Sequence, residues 1–264
     1  MSIIKISLAQ WSLHKRFQSG ALENLDFPAF TRDHFDLSAL EYVNIFFKQT
    51  TNSYVRELKQ RCDDNGVKSL LIMCDGLGRL GDPDRIKREK AVENHLIWLE
   101  LASKLSCHSI RVNAESEGSF EEQCQYSVDG LRELSQKADD FDLNILVENH
   151  GGLSSNGAWL SQVMQGVHLE NCGTLPDFGN FDDYDKYKGV KEMMPWAKSV
   201  SAKSFDFDNE GNEINIDYHK MMQIVLSQGY SSYFGIEYEG DKYSDIEGVN
   251  LTIDLLKSFE NTEV

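Results

Sequence analysis

Short apolar runs alternate from end to end of this chain with longer segments whose apolar positions recur at helical spacing. The runs at 3–9, 40–45, 67–74, 108–113, 143–147, 167–175, 197–204 and 233–238 read as buried strands, apolar on both faces. Between and after them, helical periodicity predicts helices near 27–34, 53–65, 82–105, 119–141, 158–165, 184–194, 217–228 and 244–259. Punctuation supports the reading. Gly66 ends the second helix. Asp82-Pro83 predicts an N-cap followed by proline at the first helical position, and beyond it Ala91, His95, Trp98, Ala102 and Leu105 share one face. Ser119-Phe-Glu-Glu122 has the form of a capping box.

Strict strand–helix alternation, with no linker and no low-complexity stretch, predicts an α/β chain closed as a parallel (β/α)8 TIM barrel, one domain over residues 1–264. The competing arrangement, an open doubly wound sheet, calls for a glycine fingerprint after the first strand. Ala9-Gln10-Trp11-Ser12-Leu13 stands there instead.

Barrel chemistry gathers at the C-terminal ends of the strands. The fifth strand opens into Glu148-Asn149-His150-Gly151-Gly152, and the eighth ends Glu237-Tyr238-Glu239-Gly240. An unpaired charge cannot sit in a core, so two buried strands ending in acids imply a pair able to bind a metal or move protons. Strand periodicity places Arg111 and Asn113 on one face, and Glu148 with His150 on another. The sixth strand leads to Asp177-Phe-Gly-Asn180, and the seventh supplies Ser201-Ala-Lys203. Each has a bland reading: Arg111 can pair with Glu148 as a core salt bridge, and His150 can bond a loop carbonyl. Five polar strand ends together need one another or a ligand.

Charge narrows the partners. Twenty-six Lys+Arg against 43 Asp+Glu leave a net charge of −17, a field that repels nucleic acid and anionic membrane. The most basic stretch, Arg85-Ile-Lys-Arg88-Glu-Lys90, reads as a solvated helix face with Asp84 and Arg88 four residues apart. Five cysteines without CxxC spacing read as reduced thiols, which points to the cytoplasm. The amino terminus enters a strand directly, with no signal-peptide pattern, and no apolar run approaches the roughly 20 residues of a membrane span.

The strings Val200-Ser-Ala-Lys-Ser-Phe-Asp-Phe-Asp208, Gly235-Ile-Glu-Tyr-Glu-Gly240, Glu148-Asn-His-Gly-Gly and Pro176-Asp-Phe-Gly-Asn180 resemble the sugar phosphate isomerase/epimerase group of the xylose-isomerase-like TIM barrels. The resemblance implies a divalent metal (Mn, Mg or Co) held by Glu148, Asp177 and Glu237. A strand-seven ligand, often histidine in the group, falls here on Ser201, and Asn180 stands where other members carry a second histidine. Three carboxylates suffice for Mg²⁺ or Mn²⁺ with water completing the shell, although Lys203 competes for the same oxygens.

The expected activity is isomerisation or epimerisation of a small, unphosphorylated ketose or keto-sugar. Glu148 and Glu237 exchange the α-proton, His150 and Lys203 steady the oxyanion, Arg111, Asn113 and Asn180 orient hydroxyls, and Trp11 is a wall for the sugar or packing at the barrel bottom. A keto-polyol dehydratase would use the same residues. An abasic-site endonuclease, which the charge disfavours, and a non-enzymatic sugar-binding barrel are the remaining readings. Segments 10–26, 75–82 and 206–215 are the expected specificity loops, and a homodimer is the expected assembly.

Overall fold

The computed structural model describes residues 4–260, so Ile3 of the first strand and the two ends of the expected 1–264 domain lie outside the described residues. Eight parallel strands run β1 (Lys5–Ala9), β2 (Ala39–Val43), β3 (Lys68–Met73), β4 (Ser109–Asn113), β5 (Asn144–Glu148), β6 (Cys172–Leu175), β7 (Val200–Ser204) and β8 (Tyr233–Tyr238). Hydrogen bonding orders them β6-β5-β4-β3-β2-β1-β8-β7. Parallel bridges Thr174↔Ala197 and Asp177↔Ser201 join the two outer strands and close the barrel. At that seam Ser201 N donates to Pro176 O at 3.0 Å, and Phe178 N donates to Ser201 O at 3.1 Å.

Outside the strands lie α1 (His14–Ser19), α2 (Phe27–Phe35), α3 (Asn52–Asp64), α4 (Arg85–Lys104), α5 (Phe120–Asp139), α6 (Gly157–Val167), α7 (Lys186–Met193), α8 (Tyr218–Ser227) and α9 (Asp245–Ser258). The short α1 is additional to the alternation read from the sequence. Capping boxes open α5 at Ser119/Glu122 and α9 at Ser244/Glu247, each satisfying two orphan backbone donors. In α4 the expected face is buried, but the helix starts later than the Asp82-Pro83 signal implied. Asp84 caps it by accepting from Ile86 N, while Asp82 is occupied with Asp84 N and Arg79. Arg88 also departs from the expected solvated face: it is largely buried, donates to Asp82 O and lies over the Tyr126 ring. The sixth strand is shorter than its apolar run, because α6 continues to Val167 and His168 turns left-handed at φ 51°.

Alternate strand positions sort into two apolar regions. Residues such as Ile72, Ile110, Val112, Ile145 and Val147 join the core under the helices. The other parity points into the barrel, where Ala9, Val43, Leu71, Met73, Leu146 and Leu175 form a second, smaller cluster with Trp11 and Phe46 against it. Register then levels the polar strand ends: Asn113 pairs with Glu148, and Lys203 with Glu237.

The loop from β3 to α4 is held against α5 at Gly130, where an added Cβ would stand 1.9 Å from Leu80 O. Gly130→Ala is therefore expected to destabilise the protein by about 1–3 kcal/mol through overpacking. Urea denaturation measures this, and an unchanged midpoint would show that the loop yields freely.

Candidate active site

Glu148, Asp177 and Glu237 converge from β5, the end of β6 and β8, each almost wholly buried. One oxygen from each lies within 4.8 Å of the others. Glu148 Oε1 accepts from Asn180 Nδ2 at 2.9 Å. Its Oε2 is 2.7 Å from Arg111 Nε, but both atoms lack a directed hydrogen bond, since the N–H does not point along the contact. Asp177 Oδ1 accepts from Gly179 N and Asn180 N at 2.7 and 2.8 Å, and its buried Oδ2 has no hydrogen-bond partner. Glu237 Oε2 is ion-paired with Lys203 Nζ at 2.8 Å and accepts from Ser201 Oγ at 3.2 Å.

Two cations hold these acids. Arg111 is gripped from above by Asp75, whose Oδ1 is 2.6 Å from Arg111 Nη1, so the core pairing with Glu148 foreseen in the sequence becomes a triad with Asp75. Lys203 Nζ stands 2.8 Å from Glu237, 3.3 Å from Glu239 and 3.7 Å from Asp177. Asn113 Nδ2 donates to Asp75 Oδ1 at 3.1 Å. The side chains of Arg111, Asn113 and Asn180 are thus turned onto carboxylates. Trp11 lies at the mouth, not at the barrel bottom: it follows β1, stacks with His14 and Phe46, and donates to Glu239 Oε1 at 2.5 Å.

His150 is placed differently from the strand-face expectation. β5 stops at Glu148, and Asn149 is the residue that turns inward. It donates to Asp177 O and accepts from Asp177 N, locking β5 to the β6 end. His150 is exposed at the rim, with its backbone N–H donating to Ser154 Oγ; burial would raise the nearby Asp75, but Arg111 holds it below its ordinary value. Sequence reading also passed over Asp75, Asn149, Glu239 as a site residue, and Glu41. Asp75 carried a signal, since Asp75-Gly76 after an apolar run repeats the acid-then-glycine ending of β8. Glu41 carried one too, as a lone charge within a buried strand.

Burial dominates the electrostatics. It pushes Glu148 and Asp177 up to about 7, against the pull of Arg111 on the first and Lys203 on the second. Burial acts on Glu237 too, but contact with Lys203 outweighs it and holds Glu237 below its ordinary value. Glu41 lies inside the barrel over Gly235, where a Cβ would be 2.5 Å from its Oε1. Ser7 Oγ donates to that oxygen at 2.7 Å, Oε2 has no partner, and burial pushes the group up to about 7.

The donor set suits a divalent ion. Three converging carboxylates, two with an unpartnered buried oxygen, form the hard oxygen cluster that Mg²⁺ or Mn²⁺ takes. The ammonium of Lys203 faces the same oxygens, and Ser201 offers only a neutral hydroxyl.

The model of the xylose isomerase-like TIM barrel family matches residues 23–259. The C-glycoside deglycosidase alpha subunit of Arthrobacter globiformis is 35% identical over 66 residues, 25% of this chain, and that match spans 18% of the subunit's length. Among solved structures, a 3-keto-D-glucoside 4-epimerase from E. coli aligns with a TM-score of 0.75 at 15% identity, covering 97% of this chain and 100% of that one. An IOLI protein crystallised with a zinc atom aligns at 0.77 and 15% identity, covering 98% and 100%. At such identities the likeness to the solved structures is one of fold.

Groups whose folded pKa is raised keep protons that the unfolded chain has already released. Stability should therefore fall as pH rises from the ordinary carboxylate range toward about 7, through Glu41, Glu148 and Asp177. Melting temperatures recorded across this window in chelator are expected to decline, and Glu41→Gln, which cannot ionise, should flatten the decline. Parallel curves for the two proteins would mean that Glu41 titrates normally.

Proposed function

We propose, on the premise that this chain belongs to the xylose isomerase-like TIM barrel family, that it is an isomerase or epimerase of a small, unphosphorylated ketose or keto-sugar. The observation that carries this reading is the convergence of two buried glutamates from different strands whose environments push their proton affinities apart. Burial keeps Glu148 proton-bearing up to about pH 7, while Lys203 keeps Glu237 ionised. A pair split in this way has an acid and a base assigned before substrate arrives.

In one direction Glu237 removes the proton α to the carbonyl and Glu148 supplies one to the neighbouring carbon or to the opposite face; the reverse direction exchanges the roles. Lys203 presents its ammonium beside Glu237, where negative charge gathers on the substrate oxygens, and the buried setting strengthens that attraction. Arg111 fixes Glu148 from one side and Asn180 from the other, so its carboxyl cannot swing away during proton transfer. Glu148, Asp177 and Glu237 would hold a divalent ion, which would supply Lewis-acid stabilisation of the substrate oxygens and, when bound, would compete with the proton on Glu148. His150, at the rim, is positioned to meet the outer part of a substrate.

Phosphate finds few free cations here. Arg111 is buried between Asp75 and Glu148, Lys203 is shared among three carboxylates, and Lys242 donates to Phe207 O at 2.8 Å. The loops after β7 and β8 carry Asp206, Asp208, Glu210, Glu239 and Asp241. A sugar phosphate would be repelled where barrels of this kind usually hold it.

Incubation in D₂O with D-fructose, D-psicose and a methyl 3-keto-glucoside, followed by NMR, tests the reading. Wild type should place deuterium at the carbon next to the carbonyl of at least one, and Glu148→Gln and Glu237→Gln should each slow this by about 10²- to 10⁴-fold. Near wild-type exchange in either variant would refute the two-glutamate mechanism, and loss of water with a new enone absorbance would indicate a dehydratase.

Calorimetric titration with Mn²⁺ separates the roles of the inner oxygens. Asp177→Asn is expected to weaken binding more than Ser201→Ala, because a carboxylate supplies charge and the hydroxyl does not. Equal losses, or no Mn²⁺ binding by wild type, would leave Lys203 as the electrophile.

A further inference from the structure

Two acids stand apart from the inner three. Asp75 follows β3 and Glu239 follows β8, strands separated in the sheet order by β2 and β1. Their side chains are 29% and 30% exposed, whereas Glu148, Asp177 and Glu237 are at 5% or below. Each is built the same way. One oxygen is committed inward: Asp75 Oδ1 to Arg111 and Asn113, and Glu239 Oε1 to Lys203 and Trp11. The described hydrogen bonds leave Asp75 Oδ2 and Glu239 Oε2 unengaged.

Neither acid is loosely placed. Asn44 holds the Asp75 backbone from both sides, Nδ2 donating to Asp75 O at 2.9 Å and Oδ1 accepting from Asp75 N at 3.0 Å. Glu239 N donates to Ser204 O at 2.9 Å. Between the two, over the β1–β2 arc, sit Trp11 and Phe46, their rings 6.1 Å apart and packed on the apolar interior of the barrel. The mouth therefore offers two fixed anionic acceptors flanking an apolar step, with the unpartnered inner oxygens of Glu148 and Asp177 below.

That arrangement selects chemistry. Around the mouth Asp75, Glu148, Asp177, Glu237 and Glu239 contact the cations Arg111 and Lys203, an excess of acid that repels an anion. A free carboxylate oxygen accepts hydrogen bonds only, so it favours a ligand rich in O–H donors, and such charge-assisted bonds are the stronger kind. C–H faces of the same ligand suit Trp11 and Phe46. We propose that Asp75 and Glu239 are specificity-determining residues that accept hydrogen bonds from hydroxyl groups of an uncharged polyol, on either side of the carbons that react. The proposal rests on the sugar-isomerase reading and adds to it the two residues that choose the substrate's uncharged, hydroxyl-bearing part.

D-Glucitol, which has the hydroxyls and no carbonyl, tests recognition apart from reaction. Saturation-transfer NMR and competition titration should detect its binding to wild type, and D-glucitol 6-phosphate should bind more weakly. Asp75→Asn and Glu239→Gln keep the side-chain shape and should each weaken D-glucitol by about tenfold or more, as expected for loss of a hydrogen bond to a charged group. The 1-deoxy and 6-deoxy analogues provide a reading that a merely structural role would not move. Each variant should be insensitive to removal of the hydroxyl it binds, so that the two losses do not add. Failure of wild type to bind D-glucitol, tighter binding of the phosphate, or strictly additive losses would overturn the proposal. If Asp75→Asn unfolds by circular dichroism, Glu239→Gln alone decides it. Binding of D-glucitol without deuterium exchange in any ketose would instead remove the isomerase reading and leave the recognition residues standing.

Discussion

Everything at the barrel mouth depends on how two buried cations are shared among too many carboxylates. Arg111 and Lys203 are nearly inaccessible, and each contacts more than one acid. Removing a charge from water is expensive, and the attraction between partners repays it only where geometry is good and remaining polar atoms are satisfied. Here satisfaction is incomplete. Glu41 Oε2, Glu148 Oε2, Asp177 Oδ2 and Arg111 Nε have no directed partner. The raised proton affinities of Glu41, Glu148 and Asp177 are the same deficit expressed as protonation.

The scaffold is arranged to hold that deficit in place. Closure between β6 and β7 sets Asp177 beside Ser201, and parallel register levels Lys203 with Glu237. Asn149 ties the end of β5 to the backbone of Asp177, which links the segments that carry two of the three converging acids. Around them the barrel interior carries the apolar side chains of Ala9, Val43, Leu71, Met73, Leu146 and Leu175, and burial makes each ionic contact stronger than it would be at the surface. Unsatisfied groups in a buried setting are what a binding site for a polar ligand needs, since a ligand that completes them gains more than it would from solvated partners.

Ser201 and Lys203 together make this centre unlike a purely metal-bound one. A hydroxyl at 3.2 Å from Glu237 and an ammonium at 2.8 Å crowd the same carboxylate oxygen. Any divalent ion in the triad shares its ligands with a fixed internal cation, which favours ions content with oxygen donors and disfavours those that prefer nitrogen.

Periodicity alone determined the alternation of strands and helices, because apolar runs and amphipathic stripes are local properties. Acids at the ends of β5 and β8, Asp177 after β6 and the capping box at Ser119 were legible for the same reason: each lies in a short string with its own chemistry. Partnership was not legible. That Arg111 binds Asp75 across 36 residues, that Trp11 meets Glu239 across 228, and that Glu41 needs the bare Gly235 beside it, follow only from closing the sheet. The reach of strand periodicity ended at Glu148: one residue further the backbone leaves the pleat, so Asn149 is buried and His150 is not. A sequence states which groups a strand end carries. Which of them face one another, and which remain free for a ligand, is decided by distances between segments remote along the chain, and those exist only in the folded barrel.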